Sequence, residues 1–69
     1  MNIEELENKH GNIPLESLNF DEFHYKKHAK TSVEFAISVL EDFKNGITLG
    51  ELPDFIEDKI QELKQYLNE

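Results

Sequence analysis

The chain has 69 residues, which is enough for one domain and no more. It contains no cysteine, which excludes disulfides and thiolate chemistry, and no arginine, which excludes the bidentate grip that many enzymes use on carboxylate or phosphate substrates. Its net charge of −8 disfavours direct binding to nucleic acid or to an anionic membrane, and favours a partner with a basic surface.

The first eighteen residues carry the weakest pattern. Ile3, Leu6 and His10 have helical spacing, and Gly11 is suited to end such a helix. A helix this short is marginal in water unless it docks, so residues 1–18 are predicted as a short helix or an arm. The segment also lacks the basic start and apolar run of a secretory signal. We therefore expect a cytoplasmic protein.

An apolar stripe with steps of three and four residues predicts one long central helix over 19–45. A capping-box pattern stands at its start, and Gly46 supplies its stop. Thr31 and Glu34 form a second capping-box pattern, which allows a division with a new helix beginning near Ser32. The stripe runs through that point without changing phase, so the single helix is favoured.

A second apolar stripe predicts an amphipathic C-terminal helix over 52–68, with Pro53 in the first turn, where its missing N–H costs nothing. Its apolar positions are Leu52, Ile56, Ile60, Leu63 and Leu67. No alternating strand pattern occurs in the sequence. The predicted fold class is all-α, with a single domain over 1–69 built as a helical hairpin or a three-helix bundle.

Three apolar residues of the central helix suggest self-association. Ile37 and Val39 widen its stripe and Phe35 lies outside the stripe, so together they form an apolar belt larger than the surface that one neighbouring helix covers. A second copy of the chain would cover them, and the two-fold dimer is the commonest closed arrangement. The sequence therefore predicts a homo-oligomer, most simply a dimer, with these residues at its interface.

Four carboxylates, Asp54, Glu57, Asp58 and Glu62, form an acidic row on the outer face of the C-terminal helix. Side chains three and four apart on a helix stand about 5–6 Å from one another, and such a row can imitate nucleic-acid phosphates. Solubility alone also favours a polar outer face. The favoured hypothesis is a non-catalytic protein that binds a partner protein with a basic surface: a small regulator, a phage-type inhibitor or a nucleic-acid mimic.

Asp21, His24 and His28 form an alternative site, because their spacing places them on one helix face. Two imidazoles and a carboxylate can hold zinc with an open fourth position, although metalloprotease helices also need a glutamate where Tyr25 stands. The alternative hypothesis is an oligomeric ligand- or metal-binding module. The interpretation without a binding function is a polar helix face exposed to solvent. No other cofactor is expected. An enzyme is the least favoured class, because glycine-rich nucleophile and phosphate loops are missing.

Overall fold

The computed structural model of the chain describes residues 2–47, 50 and 52–68. It contains four α-helices, α1 (Ile3–Lys9), α2 (Glu22–Tyr25), α3 (Lys30–Gly46) and α4 (Phe55–Leu67), and a 3-10 turn over Leu15–Leu18. No strand occurs in the described ranges, so the predicted all-α class is confirmed. The three longer helices, α1, α3 and α4, fit a three-helix arrangement in which α3 packs mainly against α4 and α1 packs on α3.

The short-helix option for the N-terminal segment is the one observed. The Asn2 side chain accepts a hydrogen bond of 2.8 Å from the backbone N–H of Glu5 and caps α1. Gly11 and Asn12 have φ angles of 84° and 63°, in the left-handed region that favours glycine and asparagine. The helix end that the sequence predicts near Gly11 is therefore confirmed.

The predicted single helix over 19–45 is wrong in its first third. The structure has the four-residue α2, a turn, and then α3, which Ala29 precedes in an extended conformation with ψ of 152°. The alternative that divides the helix near Ser32, which the sequence analysis disfavours, lies within two residues of the observed start of α3 at Lys30. Lys26, Lys27 and His28 in the turn are all exposed. Because short helical turns are stabilised mainly by burying an apolar face, this polar stretch gives the helix little reason to continue.

The core forms where α3 is covered on two sides. Phe43, Leu40 and Val39 of α3 are fully buried, as are Ile56 and Leu63 of α4 and Leu6 of α1. Burying each large apolar side chain contributes roughly 1.5–3 kcal/mol. Gly46 allows α1 to approach the end of α3, since a Cβ atom there would lie 3.3 Å from a methyl carbon of Leu6.

Ion pairs flank these helix contacts. Lys44 of α3 lies 3.6 Å from Glu57 of α4, and Lys64 of α4 lies 3.4 Å from Glu41 of α3. Such pairs between exposed side chains contribute only about 0–1 kcal/mol each. Their positions run in opposite directions along the two helices, so α3 and α4 are antiparallel. None of the described helices is long and apolar enough to cross a membrane.

Candidate functional site

The acidic row predicted from sequence lies on the outer side of α4. Asp54, Glu57 and Asp58 are exposed and Glu62 is half-buried, whereas the opposite side of the helix enters the core. Asp54 is the residue immediately before the helix, and the row continues over its first eight residues. Negative charge at this end of a helix also complements the positive end of the helix dipole.

Ion pairing divides the acidic row into two kinds of carboxylate. Glu57 pairs with Lys44 at 3.6 Å, and Glu62 pairs with Lys59 at 3.0 Å. Asp54 and Asp58 make no ion pair with any residue that the structure describes. These two are therefore the carboxylates of the row whose charge is most available to another molecule.

Lys59 is a buried cation that the sequence interpretation missed. Only 7% of its surface is exposed, and its ammonium donates a hydrogen bond to the backbone carbonyl oxygen of Phe20 besides pairing with Glu62. The signal was present in the spacing, because position 59 lies three residues after Ile56 and four before Leu63, on the apolar side of α4. The Lys59 ammonium joins the segment before α2 to the C-terminal helix.

Tyr25 is the second polar group that secures this segment. Its ring is buried, and its hydroxyl donates a 2.7 Å hydrogen bond to the carbonyl oxygen of Leu18. Burial, which disfavours the charged phenolate, and the nearby Glu62 carboxylate together raise the pKa of Tyr25 to about 12. The hydroxyl therefore stays protonated and keeps its hydrogen bond throughout the neutral range.

An open groove of about 190 Å³ lies beside Tyr25, and two exposed large apolar side chains line it. Phe20 is 42% exposed and Phe35 is 51% exposed. His24 and His28 also line the groove. The ring of Phe20 stacks on that of His24, with 3.9 Å between centroids and 23° between planes. The Nε2 atoms of His24 and His28 are 3.4 Å apart.

Of the three residues predicted to form a metal site, two have side chains that lie together in the structure. The structure brings His24 and His28 together, but the Asp21 carboxylate accepts a 2.8 Å hydrogen bond from the backbone N–H of His24 and caps α2. Among the described residues no group of three or more histidine, cysteine, aspartate or glutamate side chains could hold a metal ion. The role of Asp21 as a third ligand therefore stays a prediction, because the spacing that suggested a ligand is also that of a helix cap.

The predicted oligomer interface also needs correction. Ile37 and Val39 are buried in the core of the chain itself, and only Phe35 of the three is exposed. The reason is that α3 is covered by α1 and the 3-10 turn as well as by α4, so more of its circumference is buried than one neighbour would cover. Ile37 and Val39 are therefore not available to a second copy.

Comparisons with protein-family models, with curated proteins and with solved structures find no match. Two surfaces of the described chain carry groups that another molecule could bind. The acidic face of α4 presents the Asp54 and Asp58 carboxylates to cationic groups. The groove presents aromatic rings and two imidazoles, which suit apolar contacts and metal ions.

Proposed function

We propose that this chain is a non-catalytic interaction protein, which binds a partner protein through basic groups on the partner's surface. Asp54 and Asp58 supply the main charges of the proposed contact, and Glu57 and Glu62 belong to the same acidic face. The observation that carries the proposal is that Asp54 and Asp58 are exposed and make no ion pair with the described residues, while their two neighbours are paired within the chain.

Electrostatics gives such a surface a defined role. The net charge of −8 attracts a basic partner over a distance of about 8–10 Å at physiological ionic strength and accelerates encounter. An exposed ion pair contributes roughly 0.2–1 kcal/mol, so the carboxylates act mainly on the association rate and on orientation. Binding of this kind weakens as salt is added.

The competing interpretation is that the acidic face only keeps the protein soluble. The two interpretations differ in whether the position of the charge matters. Solubility depends on total charge, whereas a binding surface depends on these two carboxylates. A control variant with the same change in charge elsewhere separates them, and α1 offers one, because Glu4 and Glu5 are both exposed.

The test compares D54N/D58N with E4Q/E5Q, each of which lowers the negative charge by two. The native chain is first used to capture its partner from a lysate of the source cells, and affinities for the purified partner are then measured by calorimetry at low and high salt. Two exposed ion pairs of roughly 0.5–1 kcal/mol each correspond to a loss of about 5- to 30-fold in D54N/D58N, with a shallower dependence on salt. We expect E4Q/E5Q to bind within about twofold of the native chain.

Equal losses of affinity in the two variants would show that only the total charge matters. Unchanged affinity in D54N/D58N would show that the acidic face of α4 is not the binding surface. Glu57 and Glu62 are left intact because substituting them would also disturb Lys44 and the buried Lys59. Any difference between the variants is then free of changes in internal ion pairs of the acidic row.

In its more specific form, the proposal is that the acidic face imitates nucleic-acid phosphates. The partner would then be a protein that handles DNA or RNA, and a nucleic-acid duplex should displace it from the chain in competition. A partner that binds the chain and a duplex simultaneously would contradict this form and leave the general one intact. Within the proposal the protein acts in the cytoplasm and does not itself bind nucleic acid or membrane.

A further inference from the structure

The geometry points to a two-histidine chelate for a transition-metal ion, formed by His24 and His28 at the edge of the aromatic groove. The facing atoms are both Nε2, the ring nitrogens farthest from the backbone, and they are 3.4 Å apart. Two nitrogens bound to zinc at about 2.0–2.1 Å with a tetrahedral angle lie about 3.3–3.4 Å from each other. The observed separation is thus the one that such an ion needs.

A direct hydrogen bond between the rings accounts for this distance less well. Hydrogen bonds from N–H groups have typical donor–acceptor distances of about 2.7–3.2 Å, and 3.4 Å lies beyond that range. The ring centroids are 5.1 Å apart with 50° between planes, so the imidazoles are tilted rather than stacked on each other. A metal ion between the two nitrogens would replace a long, weak contact with two coordination bonds.

The surroundings hold one of the two ligands in place before any ion arrives. The ring of Phe20 stacks on His24, and the carbonyl oxygen of Phe20 accepts a hydrogen bond from the buried ammonium of Lys59. The ring of His24 also packs nearly at a right angle to the buried ring of Tyr25, with 5.8 Å between centroids. Preorganised ligands bind more tightly, because less conformational entropy is lost on binding. Phe20 is therefore a positioning residue for the site.

Ligand chemistry defines the ion. Imidazole nitrogen suits zinc, copper and nickel, whereas magnesium and calcium prefer oxygen ligands. With two protein ligands, the remaining coordination positions of the ion are open to water or to a donor group from another molecule. His28 is exposed and both rings line the groove, so those positions are accessible from solvent.

The test titrates the full chain with zinc chloride, and with magnesium chloride as a control, following heat release and the ring resonances of the histidines. We expect zinc to shift the resonances of His24 and His28 but not those of His10, which pairs with Asp42 on another part of the molecule. At a zinc concentration a hundredfold above Kd, the melting temperature should rise by about 10–20 °C. Magnesium should produce neither effect.

Two variants make the assignment specific. In H28Q zinc binding should be lost while the fold is retained, because His28 is exposed. D21N, which keeps an oxygen to cap α2, should bind zinc as the native chain does. The absence of any heat or resonance shift at millimolar zinc, or unchanged binding in H28Q, would overturn the chelate. Loss of binding in a folded D21N would also overturn it, because Asp21 would then be a ligand.

Discussion

Replacing Tyr25 by phenylalanine should destabilise the protein at neutral pH and stabilise it in strong alkali. At neutral pH the variant loses the 2.7 Å hydrogen bond to Leu18 and leaves that carbonyl oxygen without its phenol donor. A hydrogen bond of this kind contributes roughly 0.5–1.5 kcal/mol, so Y25F should unfold more easily by about 1 kcal/mol.

The stability difference between the native chain and Y25F changes sign in alkali, because only the native chain has the buried Tyr25 phenol to ionise. The pKa of Tyr25 is about 12 in the folded chain, against 10.0 for an ordinary tyrosine, and burial is the main cause. Because the folded pKa is raised, the stabilising contribution of the protonated Tyr25 side chain is fully present below about pH 10. It is lost as the pH rises towards 12. At about pH 11.5 the loss amounts to about 2 kcal/mol, and the phenylalanine variant has no such loss.

The assay is urea unfolding of the native chain and Y25F, followed by circular dichroism at several pH values. The difference between the two chains cancels the general effect of lysine deprotonation. The native chain should be the more stable by about 1 kcal/mol near pH 8 and the less stable by about 1 kcal/mol near pH 11.5. In a Y66F background Tyr25 is the one remaining tyrosine, and ultraviolet difference spectra report its ionisation directly. A constant stability difference across this range, or ionisation near pH 10, would refute the burial argument.

Two further predictions concern Asp42 and Phe35. Hydrogen bonds from His10, and then from Lys9, lower the pKa of Asp42 in the folded chain, so its stabilising effect is present above about pH 4 and is lost as the pH falls further. The stability gap between the native chain and D42N in urea should therefore shrink between neutral pH and about pH 3, and a gap that stays constant would contradict this. Self-association stays a prediction that now depends on Phe35: light scattering should give the mass of a dimer for the native chain and of a monomer for F35S, and monomeric mass for both would exclude it.

Sequence periodicity predicted the parts of the fold that depend on neighbouring residues along one helix. The stripe through Ile56, Ile60 and Leu63 predicted both the existence of α4 and its buried side. Periodicity failed before α3, because Tyr25 and Ala29 fit the stripe of a continuous helix equally well. The hydrogen bond from the Tyr25 hydroxyl to Leu18 belongs to the observed arrangement, and it joins separate elements that spacing along one helix cannot relate.

The candidate site shows the same division between local and tertiary information. Spacing identified the acidic row and the pair of His24 and His28. Spacing could not identify which carboxylates pair within the chain, since the partner of Glu57 comes from α3. Nor could it reveal that Lys59 is buried against a carbonyl group 39 residues earlier in the sequence. Those features arise only when the helices meet.

The buried ammonium of Lys59 has a consequence for chemical reactivity. Acylating reagents attack amines that water can reach, so Lys59 should react far more slowly than the exposed Lys64 one turn and a half further along the same helix. Because the Lys59 ammonium is bonded to the carbonyl oxygen of Phe20, detachment of this segment from α4 would expose it, and such local openings generally cost less free energy than global unfolding. The ratio of the two acylation rates therefore measures how often that segment, and with it the wall of the aromatic groove, comes away from the rest of the protein.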